Sequence, residues 1–478
     1  MKNRMMAWGA LGIVLAGAFA AWALEAEEST TVVTVNPAET HQVMKGWEVM
    51  PRFWEQDKRR NLYDPSWLRY RDLILDHLVN ELGINRIRIE IRSGAENPVD
   101  YWTLFRQNKI GYSEAKRHRY EKINDNDDPN VVNVTGFQFS ELDDQVENVL
   151  LPLKHRIQDN GERLLVNLCY VDFGSTDLKG NISHALQPEE FGELVFVVFD
   201  HLKRRYDFTP DAFEVILEPD NSDHWRGREI GLGLVAAAKR LRQAGFAPEF
   251  IAPSTASATA APSYIDAMMA VPGAGDLITT FSYHRYDENA ARALPLIRQR
   301  AHKFDKETAM LEHLTGDAEE LYEDLTVADV SAWQSFGIAS KDDDSSGDHR
   351  SFYYFVDIKD PDHPRIRMGR RTAALAQYFK FIRMGATRIG ARSNSSSSKA
   401  VAFRNTNGSY VVVVNAGSPG PVSVRGLPPG TYGARYTGGD GTPLDLAVTL
   451  SADGGGMSAA IPAAGVITFH QTLPVKSN

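Results

Sequence analysis

Glu218 and Glu312, about ninety residues apart, each close an apolar run that reads as a strand: Phe213-Glu214-Val215-Ile216-Leu217-Glu218 and Thr308-Ala309-Met310-Leu311-Glu312. In a barrel of alternating strands and helices, the C-terminal strand ends converge on one mouth, so residues distant in sequence meet there. Two glutamates facing each other across such a mouth are the minimum machinery for breaking a glycosidic bond. One protonates the leaving oxygen, and the other attacks the sugar or activates water.

Those strands need a scaffold, and the chain supplies one. Between about Met44 and Ile389, strands are expected at Lys45–Met50, Asn85–Ile91, Arg163–Tyr170, Ala212–Glu218, Glu249–Ser254, Leu277–His284, Glu307–Glu312 and Val330–Gly337. Ser351–Ile358 is a rival for the eighth place. Amphipathic helical stretches such as Trp67–Leu82, Pro188–Tyr206 and Ala290–Lys303 lie between them. Eight strands alternating with helices predict an α/β fold, a (β/α)8 TIM barrel. Asp64-Pro65 marks a helix start and Gly83 a helix stop. The segment Arg86-Ile87-Arg88-Ile89-Glu90-Ile91-Arg92 alternates strictly between charge and isoleucine. Its isoleucines must face the helices, which turns Arg88, Glu90 and Arg92 into the barrel. Ser93 to Phe139 reads as a long structureless insertion, a lid or rim. Its Asn124–Asp128 run spaces carboxylates as calcium loops do, but it lacks their glycine and distant glutamate and reads as solvated surface.

The ends of the chain differ from its middle. Lys2 and Arg4 precede an apolar stretch from Ala7 to Ala23, followed by Glu25, Glu27 and Glu28, so residues 1–26 are expected to be a signal peptide. A secreted or periplasmic protein with no membrane span after cleavage follows. Residues 31–43 hold a strand expected to join the last domain, residues 44–390 the barrel, and residues 391–478 a C-terminal antiparallel β-sandwich. The net charge of −10 disfavours nucleic acid as a partner. Cys169 is the one cysteine of the 478 residues, so stability must come from a large core and not from an intrachain disulfide. It reads as a buried small hydrophobe. His224, His284 and His313 lack ligand spacing, so no metal and no cofactor are expected, and a monomer is.

With these parts in place, the chain resembles the retaining glycoside hydrolases of clan A, most nearly glycoside hydrolase family 30. The stretch Gln377-Tyr378-Phe379-Lys380-Phe381-Ile382-Arg383-Met384-Gly385-Ala386-Thr387-Arg388-Ile389-Gly390 is similar to that family's final barrel helix running into its sandwich, and Val401–Asn405 and Val411–Asn415 continue the likeness. The resemblance implies Glu218 as acid/base and Glu312 as nucleophile. It implies Arg88 as the arginine that keeps the nucleophile charged, His284 and Tyr286 as the pair ending the sixth strand, and Trp333 as an aromatic floor under the sugar. Trp47 sits at the family's glycine-aromatic segment, and Tyr170, Trp54, Trp102 and Trp225 are further stacking candidates near strand mouths. Where the clan has an asparagine that bonds the sugar 2-hydroxyl, this chain has Leu217, so Asn221 or Asp220 is expected to take that contact. A carbohydrate is the implied partner. The same departure supports an alternative: a glycan-binding protein on a hydrolase scaffold that has lost its chemistry.

Overall fold

The computed structural model describes residues 30–342, 351–450 and 455–473. The expected signal peptide at 1–26 lies outside them, as do residues 343–348 of the stretch 341–348, whose acidic, serine-rich sequence reads as solvated surface. Eight parallel strands close on themselves: Gly46–Met50, Arg86–Arg92, Leu165–Val171, Ala212–Glu214, Glu249–Thr255, Ile278–His284, Glu307–Glu312 and Val330–Lys341. Neighbours in space follow chain order, and the eighth strand pairs with both the first and the seventh to seal the ring. Phe352–Asp357, the rival for eighth place, extends the outer half of Val330–Lys341 instead, pairing Gly337 with Phe352.

The alternation in the second strand works as its chemistry requires. Ile87, Ile89 and Ile91 join the apolar layer between strands and helices, while Arg86, Arg88 and Glu90 are buried inside the ring. Asp64 caps the first helical turn by accepting from the Ser66 amide at 3.0 Å. Gly83 ends that helical segment at φ +91°, with its own amide on the Leu78 carbonyl at 3.1 Å. A Cβ there would meet the Phe379 carbonyl oxygen at 2.7 Å, so the stop demands glycine.

The insertion after the second strand is more ordered than its composition suggests. Helices Tyr101–Arg106 and Tyr112–His118 form within it. Asp100 caps the first at Thr103, and Trp102, Phe105 and Ala115 bury against Tyr63 in a small core of their own. Short helices this exposed are marginal alone, so that apolar anchorage is what holds them.

Ten strands make the second sheet, in the order Pro443–Leu446, Thr431–Gly438, Gly465–Thr472, Tyr410–Ala416, Lys399–Arg404, Thr387–Ser393, Thr31–Val43, Gly420–Arg425, Gly456–Ile461 and Thr449–Leu450. It curls around Val33, Val35, Val412, Val414, Ile467 and Phe469. The pairing is antiparallel except where Thr31–Val43 runs parallel to Gly420–Arg425. Polar staples dock this sheet on the barrel. Tyr378 donates to Asn415 Oδ1 at 2.6 Å, and Asn415 Nδ2 donates to the Ala318 carbonyl at 2.9 Å.

Candidate active site

Two local irregularities aim the glutamates. Regular pairing in the fourth strand ends at Glu214, yet Val215 and Leu217 still donate to Ile251 and Tyr170 of the flanking strands. Glu218 then adopts φ +47°, a left-handed conformation that costs a non-glycine residue about 1–3 kcal/mol. In the seventh strand the register shifts between Met310 and Glu312. Ala309 and Leu311 face the barrel interior, so strict alternation would send Glu312 outward; the shift turns its carboxylate into the mouth.

The result is a paired arrangement. Oxygens of Glu218 and Glu312 lie within 4.8 Å of one another and of a His284 ring nitrogen. Arg88, wholly buried beneath, donates to Glu312 Oε2, to Glu90 at 3.3 Å and to the Leu311 carbonyl at 3.1 Å. The Tyr286 hydroxyl donates to Glu312 Oε1 at 2.8 Å. Opposite, Glu218 receives His284 Nδ1 at 3.0 Å and Asn221 Nδ2 at 2.9 Å. A cleft of about 590 Å³ opens above, lined by Met50, Arg52, Tyr112, Tyr120, Phe173 and Phe336 among others.

Electrostatics divide the two sides. Burial works to raise the Glu218 carboxyl, but the hydrogen bond and charge of His284, then the Asn221 bond, outweigh it and hold it below its ordinary value. Burial works to lower His284, and the Glu218 bond with the Glu312 and Glu218 charges raises it overall. The proton of this pair therefore rests nearer the imidazole, whereas a glutamate acting alone as an acid would have a raised value. His284 Nε2 is buried and finds no hydrogen-bond partner among the described residues.

A pH dependence follows. The lowered carboxyl contributes stability above its unfolded value, lost as pH falls through the lower folded one; the raised imidazole contributes below about 6.5, lost as pH rises through its folded value. One shared proton persists between those limits, so kcat/KM should form a bell whose alkaline limb lies above about pH 6.5. His284→Gln removes the proton reservoir, and the alkaline limb should move acidward. An unmoved limb in pH–rate profiles would dissociate His284 from the acid group.

The expected stacking residues fare differently. Trp47, Tyr170 and Trp333 are wholly buried and line no part of the cleft. Trp47 stacks on Phe379 at 4.4 Å and donates to the Ile382 carbonyl at 2.7 Å. Trp333 donates to Asp324, and Tyr170 hydrogen-bonds His184. All three point out toward the helices, because Glu48, Asn167 and Gln334 occupy the inward positions of their strands. Trp54, Trp102 and Trp225 are buried as well. Trp47→Ala should therefore cost about 3–5 kcal/mol in denaturant unfolding while leaving KM unchanged. A specific KM rise would return it to the sugar site.

Aromatic walls come instead from Tyr112, Tyr120, Phe173, Tyr286 and Phe336. Tyr120 and Phe173 sit in loops and Tyr112 opens a short helix of the insertion, paths that no periodicity predicts. Asp220 is tied to the backbone amides of Ala256 and Ser257 through both carboxylate oxygens, whereas Asn221, exposed at the cleft, spends one Nδ2 proton on Glu218 and keeps its other N–H and its Oδ1 to offer a sugar hydroxyl. Leu217 packs with Tyr120 and Phe173 into an apolar patch beside Glu218. The spacing of Glu218, His284 and Glu312 is one a metal ion could span. The Arg88 guanidinium already sits on Glu312, and a fixed positive charge there opposes a second cation.

The comparisons with known proteins agree with this architecture. Residues 385–469 match a family model described as the glycosyl hydrolase family 30 beta sandwich domain. The catalytic domain of the family 30 xylanase C from Talaromyces cellulolyticus is 16% identical, with 92% of this chain and 100% of that one covered at a TM-score of 0.65. A family 30 subfamily 8 xylanase from Clostridium acetobutylicum is 17% identical, covering 92% and 99% at 0.63. An endo-β1,6-glucanase is 15% identical, covering 93% and 95% at 0.61. The expected likeness to family 30 is thus met in the sandwich segment and in the shared barrel-plus-sandwich fold.

Proposed function

We propose that this protein is a retaining β-glycoside hydrolase acting on a glycan, with Glu312 as nucleophile and Glu218 as acid/base. The observation that carries the reading is the carboxylate pair, whose oxygens approach within 4.8 Å at the ends of the fourth and seventh strands. Double displacement needs carboxyl groups about 5–5.5 Å apart, and direct attack by water needs about 6.5–9.5 Å. An oxygen approach within 4.8 Å favours the shorter of these two spacings.

Glu312 attacks the anomeric carbon while Arg88 and Tyr286 hold its two oxygens in place. Glu218, drawing the proton it shares with His284, protonates the leaving oxygen. In the second step Glu218 takes a proton from water, and that water releases the sugar from Glu312 with the original configuration. Among the described residues no helix is long and apolar enough to cross a membrane. One structurally similar chain is named a conserved exported protein from Bacteroides fragilis, which fits export of this one.

Incubation with plant, fungal and bacterial polysaccharides, with products followed by NMR, tests the reading. Release of sugar first appearing as the β-anomer supports it. Products of inverted configuration, or binding without any turnover, would replace it with an inverting enzyme or a glycan-binding protein.

A further inference from the structure

One wall of the cleft carries a charge at odds with the rest of the chain. The protein as a whole has a net charge of −10. Yet Arg52, Arg92, Lys116 and Arg119 all line the cleft that holds Glu218 and Glu312. With Arg88 below, five cations on this side face four carboxylates: Glu55, Glu90, Glu141 and Glu312. Those carboxylates are shared. Glu90 serves Arg88 at 3.3 Å and Arg92 at 2.6 Å, and Glu141 serves Arg92 at 3.5 Å and Arg119 at 2.8 Å. Arg52 reaches Glu55 at 4.0 Å, the edge of an ion pair. Lys116 is exposed, and no ion pair is found for it among the described residues.

Tyr112, on the same wall, gauges the potential. Burial works to raise its phenol, but Arg119 and Arg52 more than cancel that and hold it below its ordinary value. Tyr120 and Tyr286, in the same cleft, are pushed upward instead, chiefly by burial. Positive charge therefore persists at the wall after its internal pairing. Across the cleft stand Glu218, on His284, and Asp220, on two backbone amides, so the cationic excess is confined to the insertion side. A neutral sugar would leave the excess uncompensated, while an anion on the glycan would satisfy it.

Resting on the hydrolase reading above, we propose that Arg52, Lys116 and Arg119 select a glycan bearing an anionic group, a carboxylate or a sulfate ester, and hold that group against the insertion side of the cleft. Arg119 is pre-positioned for this, with its guanidinium 5.5 Å from the Tyr112 ring centroid and 5.7 Å from that of Trp102. Its Nη2 is already on Glu141, so Arg119 adds fixed positive charge to the wall while Arg52 and Lys116 supply donors to a carboxylate or sulfate. When Glu312 turns into a neutral ester in the covalent intermediate, the local excess of positive charge grows, so an anion held here binds most tightly midway through turnover.

Binding, not turnover, makes the cleanest test. The Glu312→Gln protein would be titrated calorimetrically with cellohexaose, its C6-oxidised uronate form and its C6-sulfate form. We expect at least one anionic form to bind about tenfold or more tighter than the neutral one at about 20 mM salt, with the preference shrinking toward parity at about 500 mM. The stronger of the two anionic forms identifies the group. Lys116→Met, on an exposed side chain, should cut the anionic-to-neutral ratio about threefold or more at an unchanged melting temperature, and Arg52→Met should do the same. Equal or weaker binding of both anionic forms, or no binding of either at millimolar concentration, overturns the proposal. Preferential anion binding with no hydrolysis of any glycan would overturn the hydrolase reading and leave the charge-selective wall standing.

Discussion

Glu312→Gln should abolish turnover, lowering kcat/KM by about 10⁴-fold or more, because an amide cannot form the covalent ester on which the two-step route depends. The substitution is isosteric: the amide oxygen can keep the Arg88 bond while its NH2 donates to the Tyr286 hydroxyl, so the fold should survive. Glu218→Gln should behave differently, and the difference is diagnostic. A natural glycan needs its leaving oxygen protonated, so loss of the acid should cost about 10²–10⁴-fold on such a substrate. A dinitrophenyl glycoside leaves without that proton, so its first step should proceed while the second, now lacking a base, stalls. The expected signature is a burst of phenolate followed by slow turnover in Glu218→Gln, and no burst in Glu312→Gln. If both variants kept near-normal turnover, or if the burst appeared in the wrong one, the assignment of roles would be reversed or lost.

Much of the scaffold was legible because it rests on periodicity. Strand ends, the Asp64 cap, the Gly83 stop and the charge–isoleucine alternation of Arg86 to Arg92 are local signals that tertiary contacts reinforced. The two glutamates were legible as types at strand ends, but the devices that aim them were not. A positive φ at Glu218 and a register shift before Glu312 are exceptions to alternation, set by neighbouring strands rather than by local sequence. The aromatic assignments went astray for the opposite reason. Alternation applied to Trp47, Tyr170 and Trp333 predicts outward side chains, since Glu48, Asn167 and Gln334 mark the inward face. Large aromatics are as valuable between strand and helix as beneath a sugar, and residue type alone does not separate the two uses. The insertion gave the least. Its helices depend on a small core around Trp102 and Phe105, and its cleft residues Tyr112, Lys116 and Arg119 come into place only through that packing.

Arg88 is where fold and chemistry are least separable. Its guanidinium is wholly buried and divides three oxygen acceptors between two nitrogens: Nη1 donates to the Leu311 carbonyl, and Nη2 to Glu312 and Glu90, with the Met50 sulfur 4.0 Å from Nη2. The Glu312 and Glu90 charges hold it protonated against a burial that works to lower it. Arg88→Met would leave Glu312 with only the Tyr286 hydroxyl and Glu90 with only Arg92, so unfolding should become easier by about 3–5 kcal/mol. Arg88→Lys should recover little of this, since one ammonium cannot reach the carbonyl and both carboxylates from a single stem. Combining Arg88→Met with Glu312→Gln is the sharper measurement. A neutral amide has far less need of the guanidinium, so the double variant should be more stable than the summed single effects by about 1–3 kcal/mol in denaturant unfolding. Arg88 lines no part of the cleft, so a variant that still folds should lose kcat with little change in KM. Additive losses in the double variant would mean that Arg88 serves the barrel core and not the charge of Glu312.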